Sequence, residues 1–416
     1  MLHIDGSHGE GGGQILRTAL SLSAITGRPI CIERIRAGRR QPGLRPQHVT
    51  AARATAAICG AELEGDTVGS QTLLFEPQHA PRAGRYVFDV REASKGGSAG
   101  SVTLIFQTLL LPLAMAEGDS QLVLRGGTHV AWSPPFHYLQ QVYLPAIARL
   151  GIEAEAELMQ WGFYPQGGGE MRVVVRGRKQ AKEQNEGKGG EEGKKGKKGS
   201  EGTEGAEGTA FESSSSNFHH PSSSFQLPIS NFQPPTSNTQ YPISTFQLVQ
   251  RGRLRRLWGI SATSKLPEHI RKRMRQRALE RLRPAGMRAE IELLDAPSPG
   301  PGAGVFLFAE YEGADGETVT AGFSGFGRRG KRAEAVADEA TKVFLAYHRS
   351  GAPVDRHLAD QLFLPLALAG CAAVFRTSEI TRHLLTNVWV VKQFVEVQMS
   401  VKAEMGQVGL VEFSAE

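Results

Sequence analysis

Cysteine is scarce: Cys31, Cys59 and Cys371 are the only three in 416 residues. Their odd number and wide spacing, in no CxxC or CxxH pattern, argue against a disulfide framework or a zinc site. Buried free thiols in a reducing compartment are the expectation. Long hydrophobic runs are missing too. The longest, Thr103 to Ala116, is interrupted by Gln107 and Pro112 and is too short to span a bilayer. The start, Met-Leu-His-Ile-Asp, has no basic region followed by an apolar core, so no signal peptide is expected. These absences predict a soluble intracellular protein, with the cytoplasm as its place and no membrane contact. Walker A and HExxH sequences do not occur. Nor does the Lys-x-Asp-Gly of lysine-adenylylating ligases, since Asp315-Gly316 follows Gly313-Ala314.

Charge of one sign is only mildly in excess. The net charge of +6 biases the chain toward polyanionic partners, as it does many unrelated enzymes. Between Arg178 and Gln250 eight basic residues are matched by eight acidic ones, so the excess lies elsewhere and is not a basic tail. Hydrophobic content of 40% supports a buried core, and 49 glycines point to a loop-rich α/β or α+β protein. The length corresponds to two or three domains of roughly 150 residues.

Residues 178–250 read as a low-complexity linker. The first part is Gly/Lys/Glu-rich, and the second repeats a phrase imperfectly: SSFQLPIS at 223–230, SNFQPPTS at 230–237, YPISTFQL at 241–248. Neither part has the apolar periodicity that offsets chain entropy, so disorder is expected throughout. Residues 1–177 alternate strands and helices. Three mostly apolar helices, Gly13–Thr26, Gly100–Ala116 and Leu358–Ala369, carry polar residues in their first halves and suggest a repeated βα unit with its third copy after the linker. Residues 251–350 read as a compact module. Strands are expected at Leu254–Ser261, Arg288–Leu294, Gly304–Tyr311 and Thr318–Gly322, with helices at Pro267–Arg283 and Lys331–His348. The first of these helices holds seven arginines and lysines, either a solvated face or a surface for RNA.

Three constellations offer chemistry. Gly9-Glu10-Gly11-Gly12-Gly13-Gln14-Ile15-Leu16-Arg17 puts glycines before a helix, where backbone N–H groups meet an anion and Glu10 is placed to hold a divalent cation. A tight turn with a solvent-facing Glu10 reads equally well. The run Arg34 to Leu44, with Arg36 and Arg39, continuing to Gln47-His48, has guanidinium forks suited to phosphate oxygens; an ordinary basic loop is the plainer reading. In Thr381-Arg382-His383-Leu384-Leu385-Thr386-Asn387, His383 has polar company, and Asn387 is its i,i+4 neighbour on a helix. Neutral imidazole is a competent nucleophile toward phosphorus, although a lone histidine beside apolar residues is more often structural. Gly325-Phe326-Gly327-Arg328-Arg329-Gly330 matches GxGxxG, but the acidic strand end expected about 20 residues on falls in His348-Arg349-Ser350-Gly351, so a dinucleotide site is not expected.

Five motifs in order, GEGGGQILR, RIRAGRRQPGLRPQH, WGFYPQGGGE, HLADQLFLPLALAG and TRHLLTN, give a chain that resembles the RNA 3'-terminal phosphate cyclase family over 1–177 and 251–416. The resemblance implies an α/β (α+β) fold: a large domain of repeated βαβαββ units (1–177 and 351–416) and a smaller inserted α/β domain (251–350). It places the linker at the start of that insert. It also implies ATP-dependent conversion of an RNA 3'-phosphate to a 2',3'-cyclic phosphate through histidine–AMP and RNA-adenylate intermediates. By the family pattern His383 is the nucleophile and Glu10 holds Mg²⁺ or Mn²⁺. Arg17, Arg36, Arg39 and Gln47 grip the RNA phosphate; Gln107, Pro134, His357, Leu358, Ala359, Asp360 and Gln361 form the ATP site. No protein partner is implied. Two residues depart from the pattern. Trp161 stands where an arginine or histidine is common, and His357 where some members stack a tyrosine on adenine. The alternative is a non-catalytic, RNA-binding cyclase-like protein of ribosome assembly; such proteins lack the histidine, and His383 with Arg17, Arg36 and Arg39 argues against that role. An enolpyruvyl transferase would need a second large domain, for which 251–350 is too small.

Overall fold

Three stretches of the chain fold into the same βαβαββ unit in the computed structural model, which describes residues 1–94, 98–178, 245–314 and 316–414. The first unit runs β1 (Leu2–Asp5), α1 (Gly13–Thr26), β2 (Ile30–Glu33), α2 (Pro46–Cys59), β3 (Glu62–Glu64) and β4 (Leu73–Glu76). Its sheet has the order β1-β2-β4-β3, with only the first pair parallel. The second runs β5 (Arg85–Asp89), α3 (Val102–Ala114), β6 (Ser120–Gly126) and α4 (Phe136–Tyr138). A π-helical stretch (Leu139–Tyr143) then leads into α5 (Leu144–Ala148), β7 (Ala154–Gln160) and β8 (Gly169–Val175). Its order, β5-β6-β8-β7, repeats the first.

The third unit opens with β9 (Thr245–Leu248) and is then interrupted by β10 (Arg251–Ser264), α6 (Glu268–Leu282), β11 (Glu290–Asp295), β12 (Gly302–Gly313), β13 (Thr318–Phe326) and α7 (Ala333–Ser350). It resumes with α8 (Arg356–Ala369), β14 (Ala372–Thr377), α9 (Arg382–Phe394), β15 (Met399–Lys402) and β16 (Gly409–Phe413). Its order is β9-β14-β16-β15, with β9 parallel to β14.

Two linker boundaries need correction. Thr245–Leu248, expected to be disordered, is a strand whose Phe246 and Leu248 are buried while Thr245 and Gln247 face outward. Arg178 also pairs, bridging to Glu117. Residues 179–244 of the expected linker lie outside the described residues. They join the second unit to the third, and the insert begins only after β9, so the linker does not sit at the start of the insert.

The insert's own sheet has the order β11-β10-β12-β13. Strand periodicity explains why β12 reads as a continuous apolar run. Val305, Leu307 and Ala309 face Met274, Ala278, Val336 and Phe344 of α6 and α7, whereas Phe306 and Phe308 join the core of the repeated units. Gly325, first glycine of the GxGxxG match, lets α7 approach: a Cβ there would lie 2.1 Å from the Val336 carbonyl oxygen. Three of the seven basic residues expected on this helix pair with α7. Arg273 meets Glu334 at 2.8 Å, and Arg277 and Arg281 meet Asp338 at 2.9 and 3.2 Å. Exposed pairs of this kind are screened by solvent and contribute little to stability.

All three cysteines are free and buried. Strand pairing nevertheless places Cys31 beside His3, with the ligand atoms of His3, Cys31 and Glu33 within 4.8 Å of one another, a proximity that sequence spacing hides. Among the described residues no helix is long and apolar enough to cross a membrane.

The first helix of each unit packs against the second helix of the unit before it: α3 on α2, α8 on α5, and α1 on α9. A polar clamp marks each junction. Gln47 Oε1 accepts from the Ser101 N–H at 3.0 Å, Asp355 accepts from the Tyr138 hydroxyl at 3.0 Å, and Asn387 Oδ1 accepts from Gln14 and Thr18 at 2.9 and 2.8 Å.

Candidate active site

The three first helices leave a pocket between them. Its lining includes Gln14, Arg17 and Ser21 of α1, Gln107 and Leu111 of α3, and Asp360, Gln361 and Leu364 of α8. Matching the Leu-Leu-Leu-Pro-Leu-Ala of α3 (109–114) to the Leu-Phe-Leu-Pro-Leu-Ala of α8 (362–367) makes Gln107 and Asp360 equivalent, which is why both reach this space.

Helix capping distinguishes α1 from its counterparts. Ser101 caps α3 and Asp355 caps α8 through side-chain oxygens, whereas Gly12 offers α1 no such oxygen and its first turn carries no acid. The leading N–H groups of α1 therefore remain open to an anion. Glycine lets neighbouring side chains approach closely here. A Cβ on Gly13 would lie 2.3 Å from His48 Nε2 and 2.9 Å from Arg17 Nη1, and one on Gly9, at φ +57°, would lie 2.6 Å from Thr386 Oγ1.

Arg17 is the cation inside the pocket. It has no carboxylate partner among the described residues, and its guanidinium donates only to Gln14 Oε1 at 2.8 Å. Burial lowers it to about 10, so it stays charged. Beside it His48 is buried, and burial with the charges of Arg17, Arg36 and Arg45 holds it neutral. Its Nδ1 accepts from the Arg45 N–H at 3.0 Å, which leaves the proton on Nε2, toward Gly13. His48 is a site residue that sequence reasoning left without a role; its only signal was adjacency to Gln47 at the start of a proline-led helix.

His383 stands in the first turn of α9, capped by Thr381, with its side chain 46% exposed. Burial of the remainder, then Arg17 and Arg39, lower it below the ordinary imidazole range. Its Nδ1 lies 4.0 Å from Glu10 Oε2. Glu10 pairs with Arg39 through its other oxygen, and its backbone N–H donates to Thr386 Oγ1 at 3.1 Å. Glu10 Oε2 is buried with no hydrogen-bond partner. An orphaned carboxyl oxygen of this kind fits a hard divalent cation.

The other expected residues divide. Gln107 Nε2 donates to Gln361 Oε1 at 2.5 Å, closing one wall of the pocket. Asp360 sits in the same wall, where burial outweighs its hydrogen bond from Thr381 and raises it to about 8. His357 is exposed at the start of α8, near His383. Leu358 and Ala359 point into the core, and the Leu358 N–H is taken by Asp355, so neither side chain reaches the pocket. Pro134 contributes a carbonyl to Thr103 at 2.7 Å and does not line it either. Arg36 donates to the carbonyls of Gln41 and Gly43 at 3.0 and 2.8 Å and so shapes its own loop, while Gln47 clamps α3. Trp161 is buried and stacks on His129 at 3.8 Å, packing where an exposed polar group would have had a different task.

An open helix N-terminus, an uncompensated arginine, an orphaned carboxylate oxygen and an accessible neutral imidazole converge on phosphate chemistry. Residues 8–401 match the family described as RNA 3'-terminal phosphate cyclase. The chain belongs to that family. It is 44% identical to the RNA 3'-terminal phosphate cyclase of Trichormus variabilis over 394 residues, 95% of this chain and 94% of the relative. It is 42% identical to that of Methylococcus capsulatus over 411 residues (99% and 96%). Identity to that of Pyrococcus furiosus is 34% over 411 residues (99% and 98%). The family's motifs thus fall on all three units, and the histidine-bearing TRHLLTN motif forms the N-cap and first two turns of α9.

Proposed function

We propose that the protein is an ATP-dependent RNA 3'-phosphate cyclase that works through an adenylylated His383. The observation that carries this reading is the meeting of an accessible, neutral His383 with the orphaned oxygen of Glu10 at the uncapped end of α1. A ring nitrogen of His383 attacks the α-phosphorus of ATP; a P–N bond forms and the bond to pyrophosphate breaks. An oxygen of the RNA 3'-phosphate then attacks the same phosphorus, releasing the imidazole, which leaves readily once protonated. The neighbouring 2'-hydroxyl finally displaces AMP and closes the 2',3'-cyclic phosphate.

Arg17 and the open N–H groups of α1 bind phosphate oxygens in the pocket, and the His48 Nε2–H is aimed at the same place. Gln107, Asp360 and Gln361 shape the wall taken to receive ATP, with His357 at its rim. Glu10 would hold the divalent cation, which when bound offsets triphosphate charge. Arg36 and Gln47 act by positioning the loop and the α2–α3 junction.

Incubation with α-labelled ATP and Mg²⁺ or Mn²⁺, without RNA, tests the reading. Acid-labile, alkali-stable label on the denatured protein is expected, and none on His383→Ala with unchanged circular dichroism. Label that persists in His383→Ala would remove the histidine from the mechanism.

A further inference from the structure

Among the described residues only two aromatic side chains other than histidine are strongly exposed, Trp132 at 101% and Tyr164 at 76%. The other tryptophans, tyrosines and phenylalanines among the described residues are at least partly buried. Both exposed rings belong to the second unit, on two loops laced together. His129 bridges to Phe163, the N–H groups of Thr128 and His129 donate to the Gly162 carbonyl at 3.1 and 3.0 Å, and the Gly162 N–H donates to Thr128 Oγ1 at 2.8 Å. Trp132 also adopts φ +65°, a left-handed conformation that a bulky residue rarely takes and that is concentrated at functional sites.

The two loops contact the segment that leads into α3, which Gln47 joins to α2 next to His48. Gly127 donates to the Gly100 carbonyl at 2.8 Å, Gly167 packs so closely on Ser98 and Ala99 that a Cβ would lie 2.6 Å from the Ser98 oxygen, and Ser101 reaches Gln47. On the insert's side Lys265 donates to the Pro299 carbonyl, and Pro299 packs against Gly168 of the Tyr164 loop, so a cation lies beside that loop.

We propose that Trp132 and Tyr164 form a stacking platform for the nucleobases that precede the terminal phosphate of a single-stranded RNA. This rests on the cyclase reading and extends it from the phosphate to the bases. Rings of this type bind bases without sequence preference, because every base has a π face. The adenine of ATP is the other possible base, and the experiment separates the two.

KM and kcat are measured with a short single-stranded RNA ending in a 3'-phosphate and with the same RNA made abasic at the two nucleotides before the end. Wild-type protein should lose about tenfold in KM per stacked base on the abasic RNA, with kcat little changed. Trp132→Ala/Tyr164→Ala should bind intact RNA as poorly as wild type binds the abasic RNA and should no longer tell the two apart. Trp132→Phe/Tyr164→Phe should recover most of the affinity. Undiminished discrimination in the alanine variant would overturn the platform, and so would a raised KM for ATP in RNA-free labelling, which would assign the rings to adenine. Absence of label in the wild type would instead remove the cyclase reading, and the platform with it.

Discussion

His383 Nδ1 and Glu10 Oε2 face each other at 4.0 Å, although one residue opens a helix of the third repeated unit and the other precedes a helix of the first. The α1–α9 junction creates this proximity. Asn387, one turn beyond His383, accepts from Gln14 and Thr18 of α1 and donates to the Asp360 carbonyl at 2.9 Å, while Thr386 holds the Glu10 backbone. The i,i+4 partner of the candidate nucleophile therefore serves as a clamp. It sets the imidazole against the carboxylate and takes no part in the chemistry itself.

The electrostatics of that pair predict a pH profile. Burial, Arg17 and Arg39 all favour the neutral ring of His383, so AMP incorporation should be level through neutral pH and fall only on the acid side. Arg39→Ala removes a cation and frees the Glu10 carboxylate, and both changes favour imidazolium. The acid limb should then move to higher pH by roughly half a unit or more. Initial rates of labelling between about pH 5 and about pH 8 check this; a limb that stays put or moves toward acid would refute the assignment.

Gly13→Ala should separate stability from activity. Alanine is the better helix former, by up to about 1 kcal/mol, and the atoms its Cβ meets are the ends of the His48 and Arg17 side chains, which can move. The melting temperature should be unchanged or slightly raised. Displacement of both groups from the pocket should nonetheless lower cyclisation by at least about tenfold. Comparable activity in the variant would show that this close approach is incidental.

The third unit shows where the sequence was legible and where it was not. Helix α1 spans Gly13–Thr26 as expected, because glycines precede its apolar run and Gly27 ends it at φ +67°. The strands and helices of the insert were legible for a similar reason, each being bounded by proline, glycine or charge. β9 was not. Its Thr-Phe-Gln-Leu is a variant of the phrase repeated upstream in SSFQLPIS, so local pattern alone does not mark it as a strand. What selects it is pairing with Ala372–Phe375, more than a hundred residues away. The pocket was equally hidden in part. Phosphate-binding residue types were visible in the glycine-rich and arginine-rich motifs, but the use of Arg36 on its own loop and the burial of Leu358 and Ala359 follow from packing.

That difference is testable by deletion. Replacement of 181–240 by a Gly/Ser linker of about 20 residues should leave the melting temperature and turnover near those of the parent. Deletion of 178–247 removes most of β9, and Phe246→Ala alone should cost about 3–5 kcal/mol, because Phe246 is 4% exposed in the main core. Thermal unfolding of the three proteins decides the point; a stable, active 178–247 deletion would show that β14 does not need its parallel partner.

Asp360 gives the pH dependence of stability a definite sign. Its folded value of about 8 lies above the ordinary carboxyl value, so the folded state holds a proton that the unfolded state releases. The stabilisation is complete at low pH and is lost as pH rises from about 4 toward about 8. Asparagine keeps an oxygen for the Thr381 hydroxyl and carries no charge to bury. Asp360→Asn should therefore match the parent near about pH 5 and exceed it near about pH 8, by on the order of 1–3 kcal/mol or a few degrees. Asp355, raised to about 6 by burial, leaves a shallower slope in both proteins. Equal differences at the two pH values would mean that Asp360 is ionised in the folded protein, and the pocket wall would then carry a negative charge opposite Arg17.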